Sequence, residues 1–177
     1  MKKRLFIAIE IPRKIKEKIA DLEHHFEPHF DKASWAKPEN IHLTLVFLDN
    51  TDYNQIPDII TALDSIKDDS FEVVFSAIGG FPNLRRPHTL WIGIQENPAL
   101  FYLREKIIKG LSELNLNIDE KKFIPHLTIA RFRKRRPIEL RMEDNFGKFK
   151  TKEFILFDSI LSKDGPKHQI IKKFQLR

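Results

Sequence analysis

Ile41-His42-Leu43-Thr44-Leu45-Val46-Phe47-Leu48 and, in the second half of the chain, Pro125-His126-Leu127-Thr128-Ile129-Ala130-Arg131-Phe132 are the two stretches on which the fold turns. Each carries His–apolar–Thr–apolar inside a run that reads as a β-strand. With seven histidines and an apolar fraction of 41%, two chance copies of that tetrapeptide are an event on the order of one in a thousand. The two-residue period of a strand puts the His and Thr of each copy on one face, about 6.5 to 7 Å apart.

Working outward, the same plan surrounds both copies. Leu5–Ile11 reads as a strand, and Pro12 opens a helix with Ile15, Ile19, Leu22 and Phe26 at helical spacing. A polar loop holding Trp35 and Pro38 leads to Ile41–Leu48, whose apolar run predicts a strand buried on both faces. Ile56–Ile66 reads as a helix, Phe71–Ile78 as a strand and Gly79-Gly80-Phe81-Pro82-Asn83 as a turn. The plan then restarts, with Leu90–Ile94 as a strand, a helix led by Pro98 with Leu100, Leu103, Ile107 and Leu111, and a strand over Phe123–Phe132. Laying Leu5 on Leu90 also lays His42 on His126, with a slip of one residue, which points to an internal duplication. The expectation is one α+β domain, 1–177, in two lobes related by a pseudo-twofold axis. The first repeat covers about 1–80 and the second about 88–177. After Arg136 the second half departs from the plan: 137–152 is polar and poorly periodic. Glu153–Leu161 and Gln169–Leu176 read as two more strands in a hairpin around Asp164-Gly165-Pro166.

Composition narrows the chemistry. The chain of 177 residues has no cysteine, which excludes disulfides, a thiol nucleophile and Cys-based metal centres, and makes the cytoplasm the natural compartment. The start, Met1-Lys2-Lys3-Arg4, resembles a signal peptide, but Glu10 and Pro12 end its apolar run, so it reads as a strand, and no segment is long enough to cross a bilayer. Thirty-one Lys and Arg against 25 Asp and Glu give a net charge of +6, which favours a polyanionic partner. The run Arg131-Phe132-Arg133-Lys134-Arg135-Arg136 follows a strand without a compensating acid and suits a phosphate backbone.

If the twofold brings the repeated strands together, one cleft holds two imidazoles and two hydroxyls around room for a single phosphate. Opening a 2′,3′-cyclic phosphate needs a base for the attacking water and an acid for the departing ribose oxygen. His42 and His126 supply both, because an imidazole titrates near neutral pH. Thr44 and Thr128 can donate to the non-bridging oxygens. The scheme calls for no metal and no cofactor: Zn²⁺ asks for a third protein ligand, and His24, His25, His29, His88 and His168 show no matching spacing to these strands. A core role is the bland reading for either histidine alone, and the matched pair overrides it.

These residues resemble the two-histidine phosphoesterase superfamily and, within it, the RNA 2′,3′-cyclic phosphodiesterases, also called 2′-5′ RNA ligases. The resemblance rests on Arg4–Ile9, Trp35–Leu45, Gly80–Asn83, Leu90–Gly93 and Pro125–Arg131. It implies two facing antiparallel sheets with outer helices. It also implies hydrolysis of a terminal cyclic phosphate to a 2′-phosphate without ATP or metal, and reversible 2′-5′ joining. By the family pattern His126 is the base and His42 the acid, although a pseudo-symmetric site permits the reverse. Arg131 matches a family position for phosphate, yet five residues from His126 it has the wrong strand parity unless the strand bulges or ends there. Asp49 stands where relatives have Gly. Phe47, or Phe81 with Arg85 and Arg86 beside it, is a candidate RNA contact, as is Arg133. RNA with cyclic phosphate ends is the expected partner, and a monomer the expected state. A non-catalytic RNA-binding module and a phosphoesterase for small cyclic nucleotides are the alternatives.

Overall fold

A computed structural model of the chain describes residues 1–26, 33–118, 122–133, 137–138, 146–163 and 165–177, with side chains for all of these but 23–26. The described elements are β1 (Lys2–Glu10), α1 (Arg13–Phe26), β2 (Ala33–Trp35), β3 (His42–Asp52), α2 (Ile56–Asp64), β4 (Phe71–Phe81), β5 (Thr89–Ile94), α3 (Pro98–Leu111), β6 (His126–Phe132), β7 (Lys148–Thr151), β8 (Glu153–Ser162) and β9 (Gly165–Gln175). They build two antiparallel sheets, in the orders β3-β1-β8-β9 and β2-β6-β5-β4-β7.

The order of strands interleaves the two halves of the sequence. β1 pairs with the motif strand β3, and β5 with the motif strand β6, as the repeat requires. After each motif strand the chain crosses to the other sheet: β4, which follows β3, lies beside β5, and β8, which follows β6 after the short β7, lies beside β1. Each sheet therefore contains strands from both halves. The main core is continuous across them, running from Leu5, Ile7 and Leu43 through Leu90 and Leu127 to Phe154.

Local sequence explains the helices. α3 begins where Asn97 accepts hydrogen bonds from the backbone N–H groups of Ala99 and Leu100 at 3.1 and 3.3 Å, with Pro98 in the first turn. Its Leu100, Leu103, Ile107 and Leu111 are fully buried, and each such side chain contributes roughly 1.5 to 3 kcal/mol of hydrophobic stabilisation.

Several boundaries differ from the sequence expectation, each for a packing reason. Gly79-Gly80-Phe81 is not a turn but the end of β4. Its glycine serves a close approach, because a Cβ on Gly79 would overlap the indole of Trp91. The turn starts at Pro82, and Asn83 Oδ1 accepts from the backbone N–H groups of Arg85 and Arg86 at 3.0 and 3.2 Å. β3 is not buried on both faces: in its first half Leu43 and Leu45 are buried, whereas His42 and Thr44 are half-exposed. The loop holding Trp35 contains β2, which adds to β6 at the edge of the second sheet. The polar segment 137–152 contains β7, paired with β4. β6 starts at His126, three residues later than expected. The β8–β9 hairpin closes with Ser162 opposite Gly165, while Asp164 lies outside the described residues.

Candidate active site

The two motif strands carry the same irregularity at equivalent places. Ile7 and Ala8 of β1 face Val46 and Thr44, so Leu45 is an extra residue in β3. Leu90 and Trp91 of β5 face Ala130 and Thr128, so Ile129 is an extra residue in β6. A bulge shifts strand parity by one. Both strands consequently read half-exposed, buried, half-exposed, buried, buried, exposed, buried from their histidine onward. The fifth residue after each histidine, Phe47 in β3 and Arg131 in β6, returns to the open face, which settles the parity problem of Arg131. The carbonyls freed at the bulges are both satisfied: Arg104 Nε donates to Leu45 O at 3.0 Å, and the Ala36 N–H donates to Ile129 O at 2.8 Å.

His42, Thr44, His126 and Thr128 line one cleft of about 570 Å³, together with Phe47 and Arg131. Arg4 and Lys37 add positive charge at its walls, and Asp49 adds a carboxylate. Asp49 sits at φ 45°, in the left-handed region where a glycine is the easier occupant. Among the described residues, no group of three or more His, Asp or Glu side chains is placed to hold a metal ion.

Each catalytic candidate is oriented by the carbonyl two residues before it. His126 Nδ1 is 2.7 Å from Ile124 O, and His42 makes the corresponding bond to the backbone of Asn40. A proton held on Nδ1 by a carbonyl leaves Nε2 as the nitrogen that meets a ligand. The surroundings then differ. His42 lies 4.7 Å from Phe6 and 5.0 Å from His168, ring centre to ring centre, with the second pair perpendicular. Burial, reinforced by His168 and Lys16, drives its pKa down to about 3 against the upward pull of the Asn40 bond. His126 rests edge-on to Phe81 at 5.0 Å, with Trp91 at 6.1 Å. Its pKa is also lowered, first by burial and then by the Arg131 charge, against the bond to Ile124. In the free site both rings are neutral at pH 7.

Residues 9–91 match the family model described as LigT like Phosphoesterase. An RNA 2′,3′-cyclic phosphodiesterase of Methanocaldococcus jannaschii is 33% identical to this chain over 97% of its length and 99% of the relative's. The chain belongs to the RNA 2′,3′-cyclic phosphodiesterase family of LigT-like phosphoesterases. A relative of the same name from Archaeoglobus fulgidus is 28% identical, covering 97% of this chain and 99% of its own. A Thermus thermophilus protein, TT0787, at 27% identity, superposes with a TM-score of 0.84 over 98% of both chains. Escherichia coli LigT complexed with 3′-AMP gives 0.84 over 99% of both at 22% identity, a likeness of fold.

Against this family background, the sequence-derived site divides cleanly. His42, Thr44, His126, Thr128, Arg131 and Phe47 come together in the cleft. Arg85, Arg86 and Arg133 are exposed but do not line it, and Lys134, Arg135 and Arg136 lie outside the described residues. Phe81 is not among the lining residues either: its ring is half-buried against His126 and Trp91. Arg4, Trp35, Lys37 and His168 also line the cleft and were absent from the sequence-derived site residues. His168 carries no local sequence signal: the hairpin register sets it opposite Ser159, on the face of β8 that carries Phe157, and β8 in turn lies beside β1.

Proposed function

We propose that this chain hydrolyses the terminal 2′,3′-cyclic phosphate of RNA to a 2′-phosphate, with His42 and His126 as an acid–base pair acting on one phosphorus. The single observation that carries this reading is the convergence of both His–Thr motifs, on identically bulged strands, into one cleft. The family relatives, named RNA 2′,3′-cyclic phosphodiesterases, support the substrate class.

In the proposed step one imidazole Nε2 takes a proton from water as its oxygen bonds to phosphorus. The other imidazole, protonated, gives its proton to the ribose 3′ oxygen as the P–O3′ bond breaks. The Thr44 and Thr128 hydroxyls donate to the non-bridging oxygens, and the Arg131 guanidinium balances their charge. Because both rings are neutral in the free site, the acid is loaded when the anionic phosphate arrives, since a nearby negative charge favours the imidazolium. His42 is the harder of the two to protonate, so the electrostatics of the free site favour His126 as acid and His42 as base, the reverse of the roles implied by family resemblance. With a 5′-hydroxyl in place of water, the same pair would join RNA ends through a 2′-5′ linkage. Phe47, exposed beside the motif, offers its ring to the terminal base.

The test is incubation of the purified protein with an oligonucleotide ending in a 2′,3′-cyclic phosphate, in excess EDTA. Conversion to the 2′-phosphate is the expected result. Tight binding without conversion would favour an RNA-binding module, and conversion abolished by EDTA would remove the side-chain-only mechanism.

A further inference from the structure

Four strands of the first sheet each contribute one aromatic ring to the wall beside His42: His42 from β3, Phe6 from β1, Phe157 from β8 and His168 from β9. Phe6 stacks on Phe157 at 5.0 Å, and His168 stands edge-on to both Phe6, at 4.9 Å, and His42, at 5.0 Å. A phenylalanine or leucine would fill the place of His168 on packing grounds alone. Instead, its Nδ1 is buried without a hydrogen-bond partner. An orphaned buried nitrogen is a standing penalty that packing does not repay, and it calls for a reason outside the ligand-free fold.

The cleft supplies that reason. His168 lines it, next to His42 and together with Thr128 and Arg131. With Nδ1 sealed off, Nε2 is the ring nitrogen left to meet a ligand. Orphaned buried donors are rarer than under-used acceptors, so the preferred tautomer places the proton on Nε2 and leaves a lone pair on Nδ1. The second lobe has no counterpart among the described residues: the rings beside His126 are Phe81 and Trp91. We infer that His168 is a third substrate-contacting histidine, which stays neutral and donates its Nε2–H to a phosphate oxygen held beside His42. It thereby fixes which way round the cyclic phosphate lies in a site that is otherwise pseudo-symmetric. A neutral donor suits this place, because a second imidazolium in contact with His42 would oppose protonation of that ring.

The inference rests on the proposed phosphodiesterase reading, and the test separates the two. Imidazole ¹⁵N spectra of the full-length protein should show His168 protonated on Nε2 and bare at Nδ1, and titration with inorganic phosphate should move the Nε2–H resonance. Removing one charge-assisted hydrogen bond in His168→Leu should weaken phosphate binding and raise KM by about tenfold, with a smaller change in kcat. Its melting temperature should be unchanged or higher, because the orphaned nitrogen is gone. His168→Gln, whose amide N–H₂ reaches a similar distance, should recover most of the binding. A proton found on Nδ1, phosphate affinity unchanged in His168→Leu, or a lower melting temperature in both variants without rescue by Gln would overturn the inference. If the wild-type chain fails to turn over the cyclic phosphate, the enzymatic reading falls, while the tautomer and the phosphate titration still decide the role of His168.

Discussion

β3 and β6 are nearly the same device built twice, and their differences divide the labour of the site. Both present His and Thr from one face, both bulge one residue after the Thr, and both anchor the imidazole on a carbonyl two residues upstream. They part at the fifth residue after the histidine, where β3 has Phe47 and β6 has Arg131. They part again in what surrounds the ring: Phe6 and His168 around His42, Phe81 and Trp91 around His126. In the mechanism proposed above, the repeated motif supplies the acid–base pair, and the differences between the strands place charge on one side and an aromatic surface on the other.

The equal standing of the histidines is tested by removing them. His42→Ala and His126→Ala should each lower kcat by about 10² to 10⁴ with little change in KM, measured by steady-state kinetics on a cyclic-phosphate oligonucleotide. A variant that keeps most of its turnover would break the pairing.

The deeper burial of His42 predicts an acid-labile lobe. Its folded pKa of about 3 lies below the ordinary 6.5, so the unfolded chain binds the extra proton first. The contribution to stability is complete above pH 6.5 and is lost as pH falls towards 3. Allowing for solvent at the exposed edge of the ring, the loss between pH 7 and 3.5 is on the order of 2 to 4 kcal/mol. Denaturant unfolding across that range should show it, and His42→Phe should flatten the dependence more than His126→Phe does.

Exchanging the fifth residues sharpens the rest of the comparison. Arg131→Ala should lower kcat/KM by about 10- to 100-fold on any cyclic phosphate, because it removes a charge-assisted contact to the reacting group. Phe47→Ala should cost about tenfold on an oligonucleotide and almost nothing on ribose 2′,3′-cyclic phosphate, which has no base to stack. Equal losses on both substrates would take Phe47 out of base recognition.

Much of this is legible in the amino-acid sequence alone. The paired His–Thr motifs, the helices led by Pro12 and Pro98, and the hairpin after Ser162 follow from period, capping and turn chemistry. The misreadings share a physical cause, since they depend on contacts between segments far apart in sequence. Gly79 reads as a turn because a lone strand does not reveal Trp91 lying over it. The parity of Arg131 depends on a bulge whose freed carbonyl is satisfied by Ala36 from another segment. His168 reaches His42 only because β8 crosses to the far side of β1, and no local pattern in β9 encodes that crossing. Arg85 and Arg86, beside an aromatic turn, are exposed and lie outside the cleft lining, because Phe81 turns in towards His126.

The pH dependence of kcat/KM on a 2′,3′-cyclic-phosphate oligonucleotide tests most directly whether two imidazoles serve one phosphorus. A proton donor and a proton acceptor acting together give a bell whose centre is the mean of their two free-state pKa values, whichever ring plays which part. Since both values lie below 6.5, the maximum should fall on the acid side of 6.5 and activity should decline as pH rises beyond it. A profile with a single inflection, or a maximum above pH 7, would contradict the account.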